Sequence, residues 1–115
     1  MALTDVQRAM LDSHVIGICK VRNRVIEWAN PACEHMLGYG PGELKGAPTR
    51  LLYPSETAYE AFGALVYPPL SEGLAVREEI DFLRKDGAVL WADLSGALLP
   101  SGDGAVLWAV VDVSE

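Results

Sequence analysis

Asn30-Pro31-Ala32-Cys33-Glu34-His35-Met36-Leu37-Gly38-Tyr39 carries the signals of a strand handing over to a short helix. The Asn30 side-chain oxygen can cap a helix N-terminus. Pro31 suits the first helical position, where its missing N–H removes nothing. Met36 and Leu37 give the helix an apolar side, and Gly38 suits a left-handed C-cap. A second short turn from Pro41 to Leu44 ends at Gly46, so two small helices in succession are expected.

Upstream, residues 15–21 and 25–29 read as two strands around an Arg22-Asn23-Arg24 turn, because β-branched residues dominate both runs. The two-residue period puts Trp28 on the same face as Ile26. Residues 3–13 read as an amphipathic helix: Thr4 with Gln7 makes a capping-box pattern, and Leu3, Val6, Met10 and Leu11 share a face. Such a helix is too short to stand alone, so its apolar stripe is expected to pack on its own domain or on a second copy.

Downstream, Ser55 after Pro54 is a good N-cap and Glu56 adds early negative charge. Tyr59, Phe62, Leu65 and Val66 recur at helical spacing, and Pro68-Pro69 is expected to stop that helix. The remainder reads as β. Val76, Ile80 and Phe82 belong to one strand, and Lys85-Asp86-Gly87 is a hairpin turn. Residues 88–99 and 105–113 are two more strands around a turn at 100–104. Antiparallel hairpins with one core face fit this pattern. The chain is therefore α+β in the order α-ββ-ααα-βββ, with no internal repeat.

A chain of 115 residues makes one domain, burying about two-thirds of its unfolded surface. Its net charge of −7 argues against nucleic-acid binding, which needs a basic patch. The basic pairs Arg84-Lys85 and Arg22/Arg24 flank turns and read as solvated hairpin ends. Cys19 and Cys33 are too few for a disulfide framework or a zinc site, and read as buried free thiols in a reducing compartment. No run approaches the ~20 apolar residues of a membrane span. Asp5, Arg8 and Asp12 interrupt any signal-peptide core. A cytoplasmic setting is expected, with no membrane contact by this domain.

The pieces, in order, resemble the PAS family. Asn30-Pro31-Ala32 with Met36-Leu37-Gly38-Tyr39 is similar to the family's segment after the second strand, and Glu43-Leu44-Lys45-Gly46 to the turn that follows. Residues 79–87, Glu-Ile-Asp-Phe-Leu-Arg-Lys-Asp-Gly, with Trp91 beyond, resemble the family's strand-turn-strand. Asp112-Val113-Ser114-Glu115 resembles its closing Asp-Ile-Thr-Glu signature. The resemblance runs from His14 to the end. It divides the chain into a flanking helix at 1–13 and a PAS sensor domain at 14–115. Asn30, Pro31, Gly38, Gly46 and Gly87 are its structural motif residues.

The resemblance implies a five-stranded antiparallel sheet with short helices on one face. It implies a sensory or regulatory module, not an enzyme, in a multidomain signalling or transcription-regulatory protein. Such a module binds a small ligand in its core and relays the state through the last strand to an effector beyond Glu115. Histidine kinase, diguanylate cyclase and DNA-binding regulator are all compatible effectors. Asp112 is the expected relay residue. A homodimer through the N-terminal helix and the sheet face is the expected assembly, and a ligand-free dimerisation module is the alternative function.

No cofactor is certain. Covalent flavin is not expected, since residues 47–70 lack the cysteine of the family's Asn-Cys-Arg-Phe run. Haem is not expected either, since residues 55–70 contain no histidine. His14 and His35 read as solvated, and no metal site is expected. A small organic ligand remains, in a pocket lined by Ile18, Met36, Leu52, Tyr53, Tyr59, Phe62, Val66, Phe82, Trp91 and Val110, with Tyr53 and Tyr59 offering polar tips. No catalytic constellation is present. Gly38, Gly40 and Gly42 follow a helix and make no phosphate loop. Glu78 and Glu79, adjacent on a strand, point to opposite faces.

Overall fold

The computed structural model describes Thr4, Asp5 and residues 16–100 and 102–114. The helix expected over residues 3–13 lies, apart from Thr4 and Asp5, outside the described residues. Strands β1 (Gly17–Arg22) and β2 (Val25–Ala29) meet at Asn23 and Arg24, whose φ values are 51° and 60°. Two successive positive φ angles make the tight hairpin turn whose twist matches the strands it joins.

Helix α1 (Pro31–Leu37) follows with the expected caps: Asn30 Oδ1 accepts from the Cys33 N–H, and Gly38 closes the helix at φ 81°. Asn30 does more than cap. Its Oδ1 also accepts from the Ile18 N–H at 2.9 Å, and its Nδ2 donates to the Ile16 carbonyl at 3.0 Å. One buried side chain thus ties β1 to the start of α1, with its polar atoms paired as burial requires.

The second small helix does not form. Residues 41–46 are turns, because Gly42 (φ 78°) and Gly46 (φ 82°) both take left-handed conformations that interrupt helical winding. Gly46 N–H instead donates to the Ile26 carbonyl at 2.6 Å. A single 3-10 turn, Thr49–Leu52, precedes α2 (Glu56–Ser71). Helix α2 is capped by Ser55 as expected but continues through Pro68 and Pro69. The two prolines sit in the last turn and remove only the N–H donors that would reach Ala64 and Leu65. Leu70, fully buried, anchors that turn, and hydrogen bonds from Glu72 N to Pro69 O and from Gly73 N to Leu70 O close it.

The last three strands, β3 (Val76–Leu83), β4 (Val89–Leu98) and β5 (Val106–Asp112), complete a five-stranded sheet in the order β2-β1-β5-β4-β3. All neighbours pair antiparallel. The Asp86-Gly87 turn forms as read, with Gly87 at φ 89° and Asp86 Oδ1 accepting from the Ala88 N–H. The fold class is the expected one, with two helices and one 3-10 turn between the strand groups. The core sits between one sheet face and the helices, where Leu90, Leu94 and Val106 meet Leu37, Phe62 and Val66.

Trp28 departs from the expected face. The β1–β2 register steps from Lys20↔Trp28 to Val21↔Ile26, leaving Glu27 as an extra residue. This β-bulge reverses the alternation. Ile26 is buried, while Trp28 turns outward at 38% exposure.

Candidate functional site

A cavity of about 30 Å³ lies between the inner sheet face and the helical middle. The sheet contributes Cys19, Val21, Ile26, Phe82, Leu94, Trp108 and Val110 to its walls; α1 contributes Cys33 and Leu37. Thr49, Leu52 and Tyr53 come from the 3-10 turn and its exit, and Phe62 and Tyr67 from α2. The wall is mostly apolar and aromatic, the usual character of a small-molecule pocket. Its present volume exceeds the roughly 10–15 Å³ that holds one water and is far below the ~150 Å³ that accepts benzene.

Of the residues expected to line a pocket, Leu52, Tyr53, Phe62, Phe82 and Val110 stand on this wall. Met36 and Val66 are buried in the surrounding core without reaching it. Ile18 and Trp91 fall on the other face of the sheet. On β1 the inward positions are Cys19 and Val21, so Ile18 between them points outward, buried though it is. On β4 the inward positions are Leu90 and Ala92, and Trp91 is 40% exposed. The tryptophan that does reach the cavity is Trp108. It lies across Gly96 of β4, where a Cβ would stand 2.5 Å from two indole carbons. An aromatic residue paired across a glycine was the available signal for that face.

Four aromatic rings form one side of the cavity. Tyr53 meets Phe82 edge-on at 5.4 Å and Phe62 at 5.8 Å, and Phe62 meets Trp108 at 5.7 Å. These separations suit edge and tilted packing. Tyr59 contacts Tyr53 at 5.4 Å but stands off the cavity. Tyr67, not singled out from the sequence, takes a wall position instead.

Arg24 corrects the reading of a solvated hairpin end. Its guanidinium carbon lies 3.4 Å from the centroid of the Tyr59 ring, and 5.6 Å and 5.5 Å from those of Tyr53 and Tyr67. Its Nη2 donates to the Tyr59 carbonyl at 3.0 Å. Gly63 makes room, since a Cβ there would sit 2.7 Å from Nη1. The Arg24 Nε and the Thr49 hydroxyl are both buried with no hydrogen-bond partner. Burial pushes the Tyr53 phenol well above the usual tyrosine range and raises that of Tyr67, while the charge of Arg24 acts the other way on both.

Cys19 and Cys33 are free, buried and face the cavity together. The hydrogen bond with Cys33, and then burial, raise the Cys19 thiol well above its ordinary pKa. It is a neutral thiol and a poor nucleophile. No histidine stands on the described cavity walls, α2 has neither histidine nor cysteine, and His35 is exposed. Among the described residues no three His, Cys, Asp or Glu side chains gather around a metal-sized point, and no helix is long and apolar enough to cross a membrane.

Asp112, at the end of β5, accepts from the Ser114 N–H at 2.8 Å and lies 3.6 Å from Arg84 Nη2. Arg84 Nη1 donates to the Met36 carbonyl at 2.9 Å, and the Lys85 N–H donates to the Leu37 carbonyl at 3.0 Å. The C-terminal end of α1, the β3–β4 turn and the end of β5 are thereby joined.

A family model described as PAS domain matches residues 12–115. The chain is 33% identical over 102 residues to the sensor protein TdiS of Thauera aromatica, covering 87% of this chain and 19% of that protein. It thus spans about a fifth of the length of that relative. Among solved structures, it resembles the PAS domain, in complex with ethanol, of a LuxR-family transcriptional regulator from Burkholderia thailandensis. The TM-score is 0.83 and the identity 25%, over 97% of this chain and 100% of that one. It also resembles a domain of a sensory box sensor histidine kinase/response regulator from Geobacter sulfurreducens. There the TM-score is 0.76 and the identity 26%, over 94% of this chain and 92% of that one.

Proposed function

This chain belongs to the PAS domain family, and from that membership we propose that it is the sensory module of a cytoplasmic multidomain signalling or transcription-regulatory protein. It holds a small ligand in its core and hands the occupied state to a fused effector through β5. The observation that carries this reading is the mostly apolar cavity wall that includes Thr49, whose buried hydroxyl has no protein partner. A buried unpaired hydroxyl costs about 1–3 kcal/mol, and a ligand that accepted or donated a hydrogen bond there would recover it. The ethanol complex of the Burkholderia thailandensis domain supports a ligand of few atoms. No catalysis and no nucleic-acid contact is assigned to this domain. The two structural neighbours, from a LuxR-family transcriptional regulator and a sensor histidine kinase/response regulator, support a transcription-regulatory or kinase effector.

The relay follows from the contacts at the end of α1. Cys33 and Leu37 of that helix line the cavity, and its last carbonyls are held by Arg84 and Lys85. Arg84 in turn faces Asp112. A ligand that prefers one position of α1 shifts this linkage by its differential affinity for the two positions. Native mass spectrometry of the purified chain tests occupancy: a bound small-molecule mass is expected, lost in Thr49→Val. A clean apoprotein mass, with no cavity amide shifted by alcohols or short acids in NMR, would sink the ligand reading. Asp112→Ala in the full-length protein is expected to break the effector response with the fold intact; an unchanged response removes Asp112 from the relay.

The second reading, a ligand-free dimerisation module, rests on the outer sheet face. Trp28, Trp91, Leu107 and Val111 are all more than a third exposed there, and clustered exposed apolar groups mark association surfaces. In that case Trp28→Lys with Val111→Lys abolishes the sedimenting dimer and the effector response together, while Thr49→Val changes neither.

A further inference from the structure

We infer that the ligand of this cavity is a short-chain carboxylate, its oxygens received by Tyr53, Tyr67 and Thr49 with Arg24 behind them. This rests on the ligand-binding reading above. The argument begins with charge. In a chain of net charge −7, Arg22, Arg50, Arg77 and Arg84 each hold a carboxylate. Arg24 is the one described arginine with no acidic side chain in ion-pair range. It is also drawn in beneath α2 with a buried, unpartnered Nε. The guanidinium is part-buried and stacked on Tyr59, an arrangement in which a cation gains from an added anionic partner.

Hydrogen-bond direction gives the second step. The guanidinium carbon lies 5.6 Å and 5.5 Å from the Tyr53 and Tyr67 ring centroids, and a guanidinium, having no acceptor, can only donate to their phenol oxygens. Each phenol then keeps its own O–H free to donate. Both tyrosines stand on the cavity wall, as does Thr49, whose hydroxyl is buried and unspent. The Thr49 N–H donates to the Arg24 carbonyl at 2.9 Å, which fixes the two residues side by side. The cavity wall therefore carries three hydroxyl-bearing residues, with a guanidinium beside two of their rings and no acidic side chain. An anion's oxygens complement that set, and an alcohol, with one oxygen and no charge, uses it poorly. The other walls are apolar, and a volume of about 30 Å³ limits the tail to a few carbons.

The test titrates the purified chain with sodium propionate and with propan-1-ol at pH 7, read by backbone amide shifts. Propionate is expected to bind about tenfold more tightly, as charge-assisted hydrogen bonds of this kind imply. Arg24→Gln is expected to bring the two within about twofold. Thr49→Val, which leaves the Arg24 stack in place, is expected to weaken propionate several-fold and serves if Arg24→Gln fails to fold. Propan-1-ol binding as tightly as propionate, or a preference that survives both substitutions, overturns the carboxylate assignment and leaves the ligand reading standing. Binding of neither probe overturns both.

Discussion

Gly96 shows how one absent methyl group shapes the cavity. The Trp108 indole occupies the space above it, and a built Cβ would meet the ring at 2.5 Å. Gly96→Ala must therefore displace Trp108, which also packs on Phe62. Overpacking of this kind costs about 1–3 kcal/mol, so the urea midpoint is expected to fall by that equivalent; an unchanged midpoint would show that the indole moves freely. Asn30→Ala should cost more. It strands the Ile18 and Cys33 N–H groups together, and a lost cap plus an unpaired buried group amounts to roughly 2–4 kcal/mol. Urea unfolding checks this too, and a loss below that of an ordinary surface cap would contradict it. Asn30 was legible from sequence because its cap is a three-residue pattern. Arg24 was not, because its partner carbonyl on Tyr59 lies 35 residues away and nothing local distinguishes it from a solvated turn residue.

Two ion pairs at the scale of elements predict an acid dependence. Glu43 joins the turns after α1 to the β3–β4 hairpin through Lys85 Nζ at 2.7 Å. That hydrogen bond, and then the Gly40 N–H, hold its carboxyl below the usual range. Asp93 on β4 is held low by Arg77 of β3, foremost by hydrogen bonding. A carboxyl whose folded pKa lies below its unfolded one binds fewer protons in the folded state. Its stabilisation is complete above about pH 4–4.5, the unfolded range, and is lost as pH falls through the folded value. The urea midpoint should therefore lose these contributions below about pH 4. The loss should be modest because both pairs are exposed, and smaller in 1 M salt. Glu43→Gln with Asp93→Asn should flatten that acid limb; an unaltered limb would mean other carboxylates carry it. The hairpins themselves were legible, since Asn23-Arg24 and Asp86-Gly87 are local turn signals. Strand faces were less so. An apolar run such as 105–113 has no polar alternation to mark its inner side, and the extra residue Glu27 silently reverses the face of Trp28. The apolar run of β5 is why Trp108 was missed.

At the scale of the whole molecule the cavity is a compromise between stability and response. A core closed over Thr49 would be more stable if residue 49 carried no hydroxyl, because the buried oxygen has lost water and gained no partner. Thr49→Val keeps the branched shape and removes that penalty. The described backbone contacts of residue 49, notably its N–H to the Arg24 carbonyl, do not involve the side chain. The variant is expected to gain about 1 kcal/mol, which for a domain of this length is a rise of a few degrees in Tm. The gain should belong to the empty protein alone. Wild type saturated with propionate should rise in Tm by mass action, while Thr49→Val should rise less, so that ligand narrows the gap or reverses it. Differential scanning calorimetry with and without 50 mM sodium propionate measures both differences. If Thr49→Val lowers the Tm of the empty protein, the hydroxyl is satisfied in solution and the cavity has no unspent donor there. If the gap is the same with and without propionate, residue 49 takes no part in binding it. Natural domains that keep a destabilising polar group in their core usually do so because function uses it, and here Thr49 with its buried hydroxyl and the two tyrosines with raised phenols stand on the wall of a single cavity, with the Arg24 guanidinium against the tyrosine rings.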